Sequence, residues 1–487
     1  MRVHLMGICG TAMASLAGLL KSMGHEVSGS DQNVYPPMST QLKELGIPIL
    51  EGYREENLGL GPNGHLNTSS MPAPELVIVG NVISRGNPEA EALLKSSIPY
   101  TSLPKALGEY AIADRHSIVV AGTHGKTTTT SIMIKVADAC GVEPGFMVGG
   151  IPLDYGRSFR VGGHSSYFVI EGDEYDTAFF DKVPKFIHYK PRSVILTSIE
   201  FDHADIYKDL AAVKNAFHML IERIPHDGVL VARADDMNVR EVSRAAKCPV
   251  ITFGVAGRAP ADYEITERQI LHGRNQFAVQ HRGKKIADVA IRLPGEHNAL
   301  NALAVFALAH HLGWKVPNIL QGLADFQGVK RRQEVIGTPS GITLIEDFAH
   351  HPTAVAVTID AIREKYLNAG QSQSGVGPGR LIALFEPRSA TSRRRVFQRE
   401  YVSAFKNADL IFIAKAYDQS KIAEGDRFST DELVRNLLHE GYTACEFENV
   451  DEIVDEVKSD ARPGDVVLIM SNGGFGGIYK KLAERLK

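Results

Sequence analysis

The stretch Val119-Val120-Ala121-Gly122-Thr123-His124-Gly125-Lys126-Thr127-Thr128 decides how the rest of the chain is read. Its apolar start predicts a strand, its small residues a tight turn, and Gly-Lys-Thr the opening of a helix. Phosphate binding calls for these residue types. Glycine lets backbone N–H groups approach the oxygens, and a helix N-terminus favours negative charge. Lys126 adds a cation for the terminal phosphates, and the Thr127 hydroxyl is a hard ligand suited to Mg²⁺. Gly122, Thr123, His124, Gly125 and Thr128 complete the candidate phosphate loop. The spacing departs from G-x-x-x-x-G-K-[ST], because Val120 occupies the first glycine position. A glycine-rich turn that binds nothing is the alternative, and the order of strand, turn, Lys and Thr weighs against it.

Strand and helix patterns alternate outward from this segment, which predicts α/β architecture with largely parallel sheets. Arg2-Val-His-Leu-Met-Gly-Ile reads as a strand, Gly7 to Gly10 as a turn, and the run through Leu16, Leu19 and Leu20 to Gly24 as a helix. After GVKRRQEVIG, the apolar runs Arg380–Phe385, DLIFIA and DVVLIM repeat the theme. At roughly 150 residues per domain, 487 residues make about three domains. The expected boundaries fall near residues 114 and 329, giving segments 1–114, 115–328 and 329–487. Two Gly/Pro/Ser/Asn-rich stretches, near 59–75 and 368–379, read as surface loops.

Composition excludes several classes. With 53 Lys+Arg against 57 Asp+Glu, the net charge of −4 supplies no electrostatic footprint for nucleic acid. Cys9, Cys140, Cys248 and Cys445 lie far apart, so neither a disulfide framework nor a zinc knuckle is encoded, and a cytoplasmic location with reduced thiols is expected. No apolar run approaches the ~18 residues of a membrane span. The N-terminal apolar run is interrupted at His4, Gly7, Gly10 and Thr11, which fits strand-turn-helix better than a signal peptide.

A nucleotide site also needs metal ligands. Tyr167–Glu171 is an apolar strand ending in a carboxylate, where α/β sheets bind ligands. A second strand, Ser193–Thr197, leads into Ser198-Ile-Glu-Phe-Asp-His203-Ala-Asp. Taken alone, this acidic cluster reads as a solvated loop. Its position after two successive strands favours Mg²⁺, which takes oxygen ligands.

GTHGKTTT, IEGDEYD, IEFDHADIY, GEHNALNALA, FQGVKRRQE and EDFAHHPTA resemble, in that order and at that spacing, the motifs of the Mur ligase family. Those are three-domain, ATP-dependent, amide-forming ligases of peptidoglycan synthesis. The resemblance implies a Rossmann-like N-terminal domain for a UDP-sugar, a central P-loop ATPase-type domain, and a Rossmann-like C-terminal domain that presents the acceptor and reaches the nucleotide. GICGT and GSDQNVYPPMS near the start, with EPRSATS and SNGGFGG near the end, resemble the branch that joins UDP-N-acetylmuramate to the murein tripeptide L-Ala-γ-D-Glu-meso-diaminopimelate in cell-wall recycling. The alternative branch adds free L-alanine.

The resemblance also implies roles. Lys126 would stabilise the transferring γ-phosphoryl group. Thr127 and Glu171 would hold one Mg²⁺, with Glu171 and His203 on a second, and Lys126, Glu171 and His203 form the catalytic set. Asn298 would bind adenine; the alternative is an N-cap, since asparagine is a preferred capping residue, and both could hold. Arg332 would reach ATP, with Arg331 the weaker candidate, unless Lys330–Arg332 is a solvated linker; Asp347 would accept a ribose hydroxyl. Gly7, Gly10, Thr11 and Asp31 would bind the UDP-sugar. Arg388, Ser389, Asn472 and Gly473 would meet the acceptor peptide, and Arg393–Arg395 reads as a solvated helix face. His350 and His351 read as part of the nucleotide-side loop. Two departures stand out. No lysine occupies the position where several family members carry a carbamylated one; His218 stands there, with Lys214 one turn earlier. Ser198 replaces a usual asparagine. An oxidoreductase or a UDP-sugar sensor are the readings outside the ligase class.

Overall fold

The computed structural model describes residues 1–34, 38–61, 72–367 and 379–487. Most of the two stretches read as loops, near 59–75 and 368–379, therefore lies outside the described residues. The architecture is three-domain α/β, carried on two compact units. The first comprises Met1–Ile199, Lys214–Phe253 and Ala304–Gly322; the second comprises Glu200–Val213, Gly254–Leu303 and Leu323–Lys487.

The first unit opens with a five-stranded parallel sheet in the order Ile49–Glu51, Glu26–Asp31, Arg2–Met6, Leu76–Val79, Tyr100–Ser102. The chain leaves Arg2–Met6 for one side of the sheet and later returns to its other side as Leu76–Val79. Such a reversal of strand order opens a crevice at the strand C-termini. Its second sheet sets His116–Ala121 between Tyr167–Gly172 and Pro191–Leu196, both parallel to it. Ile118, Val119 and Val120 are fully buried there, as the apolar run at 119–121 required. Gly18 on helix Thr11–Ser22 lies so near Phe159 that an added Cβ would come within 2.2 Å of its ring.

In the second unit, Tyr263–Leu271, Arg274–His281 and Lys284–Ile291 form an antiparallel meander. The expectation of largely parallel sheets does not single it out. Its turns, His272-Gly273 and Arg282-Gly283, have positive φ at both central residues, the geometry that matches the twist of a two-residue hairpin. The C-terminal sheet runs Glu334–Gly337, Thr343–Asp347, Val466–Met470, Leu381–Phe385, Leu410–Ala414, Ala444–Phe447, parallel after the first pair. Apolar clusters cover both of its faces, one around Phe385, Tyr401 and Phe405, the other around Leu384, Ile469 and Phe475. No described helix is long and apolar enough to cross a membrane.

His116 opens the central strand with its Nε2 2.7 Å from Ser193 Oγ. Burial, reinforced by Arg192 and opposed by Asp227, lowers its pKa from the ordinary 6.5 to about 4. Between those values the unfolded chain binds the proton and the folded chain does not, so stability falls as pH drops through that window. His116→Gln should lessen this acid sensitivity, seen as a smaller drop in Tm between pH 7 and pH 5.

Candidate active site

The phosphate loop is clasped by the neighbouring strand end. Thr123 N–H donates to Ser198 O at 2.8 Å and His124 N–H to Ser198 Oγ at 3.2 Å. Thr197 Oγ1 donates to His124 O at 2.6 Å. Gly122, at φ 131°, leaves the room: a Cβ there would stand 2.2 Å from Thr197 Oγ1. Gly125, at φ 82°, starts helix Lys126–Ala139 without a side-chain cap, so the first turn points its amides toward the loop. Ser198 supplies its hydroxyl to the loop itself. Thr128 is buried in the first turn of that helix.

Lys126 and Thr127 open the helix that follows the loop. Lys126 Nζ donates to Gly122 O at 2.7 Å and to both Glu174 oxygens at 2.9 and 3.1 Å. Burial works against its charge, but Glu174, Asp173 and Glu171 together hold its pKa above the ordinary value. Thr127 Oγ1 donates to Glu171 Oε1 at 3.0 Å, and Gly149 N–H to Glu171 Oε2 at 2.8 Å. Sequence reasoning quoted Glu174 but gave it no role; its signal was the second carboxylate three residues beyond the strand-end acid.

In the second unit, His203 has φ 56°, and its N–H donates to Asp202 Oδ1 at 2.7 Å. Burial alone would raise the Asp202 pKa, yet His203, His350 and His351 hold it far below the usual carboxylate range. His351 caps helix Pro352–Tyr366, accepting from Thr353 N–H, and its Nε2 lies 3.2 Å from Phe201 O. On the surface of the first unit, Lys214 pairs with Glu241 at 2.5 Å.

The nucleotide-side candidates form one network. Asn298 does not cap its helix. The helix begins two residues earlier, at Glu296, and Asn298 Nδ2 donates to Pro294 O at 2.8 Å and to Gln333 Oε1 at 3.0 Å. Asp347 is buried and accepts the N–H groups of Gln333 and Ala349 at 2.8 and 2.7 Å. Burial raises its pKa, against the pull of Arg332. The solvated-linker reading fails for Arg331 and Arg332, while Lys330 is exposed. Arg331 binds Glu346, Ser471 O and Gly473 O, and Arg332 stacks 4.7 Å from the Phe348 ring centroid.

On the C-terminal rim the two expected loops meet. Ser471 Oγ donates to Glu386 Oε2 at 2.6 Å, and Gly473 packs directly against the Arg388 side chain, where a Cβ would clash at 2.0 Å. Arg388 lies 3.4 Å from Glu386 and 3.7 Å from the Tyr417 ring centroid. Ser389 and Ser392 cap one another, and the buried Asn472 Oδ1 has no hydrogen-bond partner among the described residues. Arg393–Arg395 is not a helix face: Arg393 ties to Ser389 O and Asp418 O, and only a short 3-10 turn follows at Arg395–Phe397.

At the N-terminal crevice, Gly7 has φ 80° and Gly10 precedes helix Thr11–Ser22 with no side-chain cap. Asp31 accepts Cys9 N–H at 2.8 Å and Asn33 N–H at 3.0 Å, which fixes the turn. A carboxylate has further lone pairs for a hydroxyl. Cys9, Gly10 and Asp31 line a cleft of about 660 Å³, the size of a small-molecule site.

Three family models match in succession: Mur ligase family, catalytic domain, over residues 2–115; Mur ligase middle domain over 120–309; and Mur ligase, glutamate ligase domain, over 331–473. The UDP-N-acetylmuramate–L-alanyl-γ-D-glutamyl-meso-2,6-diaminoheptandioate ligase of Haemophilus influenzae is 40% identical, covering 100% of this chain and 99% of its own. The chain belongs to the Mur ligase family. It is therefore an ATP-dependent ligase. A UDP-N-acetylmuramate–L-alanine ligase from Acetivibrio thermocellus is 32% identical, covering 98% and 94%. The crystal structure of a murein peptide ligase from Psychrobacter arcticus superposes with a TM-score of 0.70 at 35% identity, covering 100% and 98%.

In this Mur ligase the donor set at Thr127 and Glu171 fits Mg²⁺. A hydroxyl and a carboxylate lie 3.0 Å apart beside the phosphate loop, and both are hard oxygen ligands. Glu174 is the counter-charge that parks Lys126 against the loop carbonyl. Glu174→Gln keeps the size and removes the charge. It should lower turnover by about tenfold, a loss of 1.4 kcal/mol, with Tm little changed; steady-state ADP release checks it.

Proposed function

We propose that this Mur ligase joins UDP-N-acetylmuramate to the tripeptide L-Ala-γ-D-Glu-meso-diaminopimelate, cleaving ATP to ADP and phosphate, in the cytoplasmic recycling of cell-wall peptide. The observation that carries this reading is the 40% identity, across the whole chain, to a ligase named for that reaction, against 32% to one named for L-alanine.

The chemistry follows from what a carboxylate cannot do. It is a poor electrophile and meets an amine as a salt. A lactyl carboxylate oxygen first attacks the γ-phosphorus, and ADP departs. The amine of the tripeptide then attacks the acyl carbon, phosphate leaves, and the amine gives up its proton. Lys126 and the amides at the start of helix Lys126–Ala139 would neutralise charge on the transferring phosphoryl group, where positioning and electrostatics dominate. Thr127 and Glu171 would hold Mg²⁺, which supplies further charge neutralisation when bound, with His203 as a ligand of a second ion. Asn298, Arg332 and Asp347 are assigned to the nucleotide. Gly7, Gly10, Thr11 and Asp31 are assigned to the UDP-sugar, and Arg388, Ser389, Asn472 and Gly473 to the peptide. Residues 1–114, 115–328 and 329–487 would then be the UDP-sugar, ATP and acceptor domains in turn.

Two measurements test the reading. Lys126→Ala should cut turnover by at least about 10²- to 10³-fold with an unchanged far-ultraviolet dichroism spectrum; near-normal rates would remove the phosphate loop from the mechanism. An acceptor panel at fixed UDP-N-acetylmuramate and MgATP should give fastest ADP release with the tripeptide. Faster release with free L-alanine would move the enzyme to the other branch.

A further inference from the structure

The cleft beside Gly10 and Asp31 has an electrostatic deficit. Its one lining carboxylate, Asp31, repels anions, and the sequence-derived candidates there, Gly7, Gly10, Thr11 and Asp31, include no cation. Among the described residues that line it, Arg85 is the single Lys or Arg. It lies on the loop after Leu76–Val79, the strand next to Arg2–Met6, so both loops leave the same sheet edge at the point where strand order reverses.

That loop is held in place. Asn87 Oδ1 accepts Ala90 N–H at 3.0 Å, and Glu91 accepts Gly86 N–H at 3.0 Å. Glu89, fully buried, accepts from Ser30 Oγ and Asn57 Nδ2, each at 2.8 Å, and lies 2.9 Å from His4 Nε2. The guanidinium itself is covered by a ring from elsewhere in the unit. Its carbon stands 5.5 Å from the centroid of Phe179, at the turn of the hairpin formed by Asp176–Ala178 and Asp181–Pro184. Phe179 is anchored in turn, packed against the core cluster that includes Leu58 and Ile83. An exposed arginine stacked on an anchored ring is restrained before any ligand arrives, and its fork of N–H donors remains for an anion.

We propose that Arg85, restrained by Phe179, is the cation that binds the diphosphate of a nucleoside diphosphate sugar in this cleft, acting with the amides at the start of helix Thr11–Ser22. This rests on the UDP-sugar reading of the N-terminal domain. The same hairpin follows strand Tyr167–Gly172, which carries Glu171, and the Glu174 just beyond it, so one chain segment runs from those carboxylates to the ring beside Arg85.

Titration calorimetry of the full-length protein with UDP-N-acetylmuramate, UDP, uridine and MgATP tests it. Arg85→Ala should weaken UDP and UDP-N-acetylmuramate about ten- to a hundredfold and leave uridine and MgATP within twofold. Arg85→Lys should recover part of the loss. Phe179→Leu should weaken UDP about two- to fivefold. Unchanged UDP affinity in Arg85→Ala overturns the proposal. So does an equal loss for uridine, since that marks a structural role for Arg85. A wild-type protein that binds none of the uridine ligands overturns instead the UDP-sugar reading, and the inference falls with it.

Discussion

Thr197 Oγ1 occupies the space that a Cβ on residue 122 would need, and from there it reaches the carbonyl of His124. This contact couples two adjacent parallel strands at their C-terminal ends, and the shape of the phosphate loop depends on it. With Gly122 at positive φ, the chain turns under Thr197 and Ser198 and delivers Gly125 to the head of a helix. The amides of that first turn, the Lys126 ammonium and the Thr127 hydroxyl take their directions from the same turn. Glu171 and Glu174 are then brought to it by the neighbouring strand, Tyr167–Gly172. Strand pairing sets the chemistry here, because each group of the phosphate site stands at the C-terminal end of one of three adjacent strands.

The same economy explains how a chain with nearly balanced charge could attract anionic ligands. Its cations are local and are held by neighbours of opposite charge or by aromatic faces. Lys126 is drawn back by Glu174, Arg331 is gripped by Glu346 and two carbonyls, Arg332 lies on Phe348, and Arg388 lies on Tyr417. Burial works against the charge of Arg331, yet Tyr479 and Glu346 hold its pKa above the ordinary value. Such restraint lowers the entropy that a long side chain loses when it meets a ligand.

The local features were legible in the sequence. The strand-turn-helix at 116–139 and the strand-end carboxylate Glu171 follow from residue types within a dozen positions of one another. The rim where Glu386 meets Ser471 was also readable, since two apolar strands each ending in a polar loop in one parallel sheet have no other place to put those loops. What failed depended on partners remote in sequence. Lys330-Arg331-Arg332 looked like an ordinary charge run because nothing nearby announces Ser471 and Gly473, more than a hundred residues on, as the acceptors of Arg331. Asn298 resembled a cap because asparagine favours helix starts, but Pro294-Gly295 let the helix begin at Glu296. That places Asn298 inside the first turn, with its amide donating to Gln333. The antiparallel meander was missed because its His-Gly and Arg-Gly turns are weaker signals than Asn-Gly or Asp-Gly.

These failures share a cause that also bears on Asp31 and Asp347. Both were expected as ligand acceptors, Asp347 from the family resemblance alone, and each is found holding one backbone amide of its own loop and one from a segment remote in sequence. The two descriptions are compatible. A buried carboxylate needs donors to offset its desolvation, and the amides supply them before any ligand arrives. The oxygen lone pairs that remain are then fixed in direction by those amides. An acidic residue that anchors its loop is thereby a more selective acceptor than a freely rotating one, because a hydroxyl must approach along the directions the loop leaves open. Anchoring and recognition are consequences of the same hydrogen bonds, and spacing alone, which registers only where the residue falls, reveals the second and conceals the first.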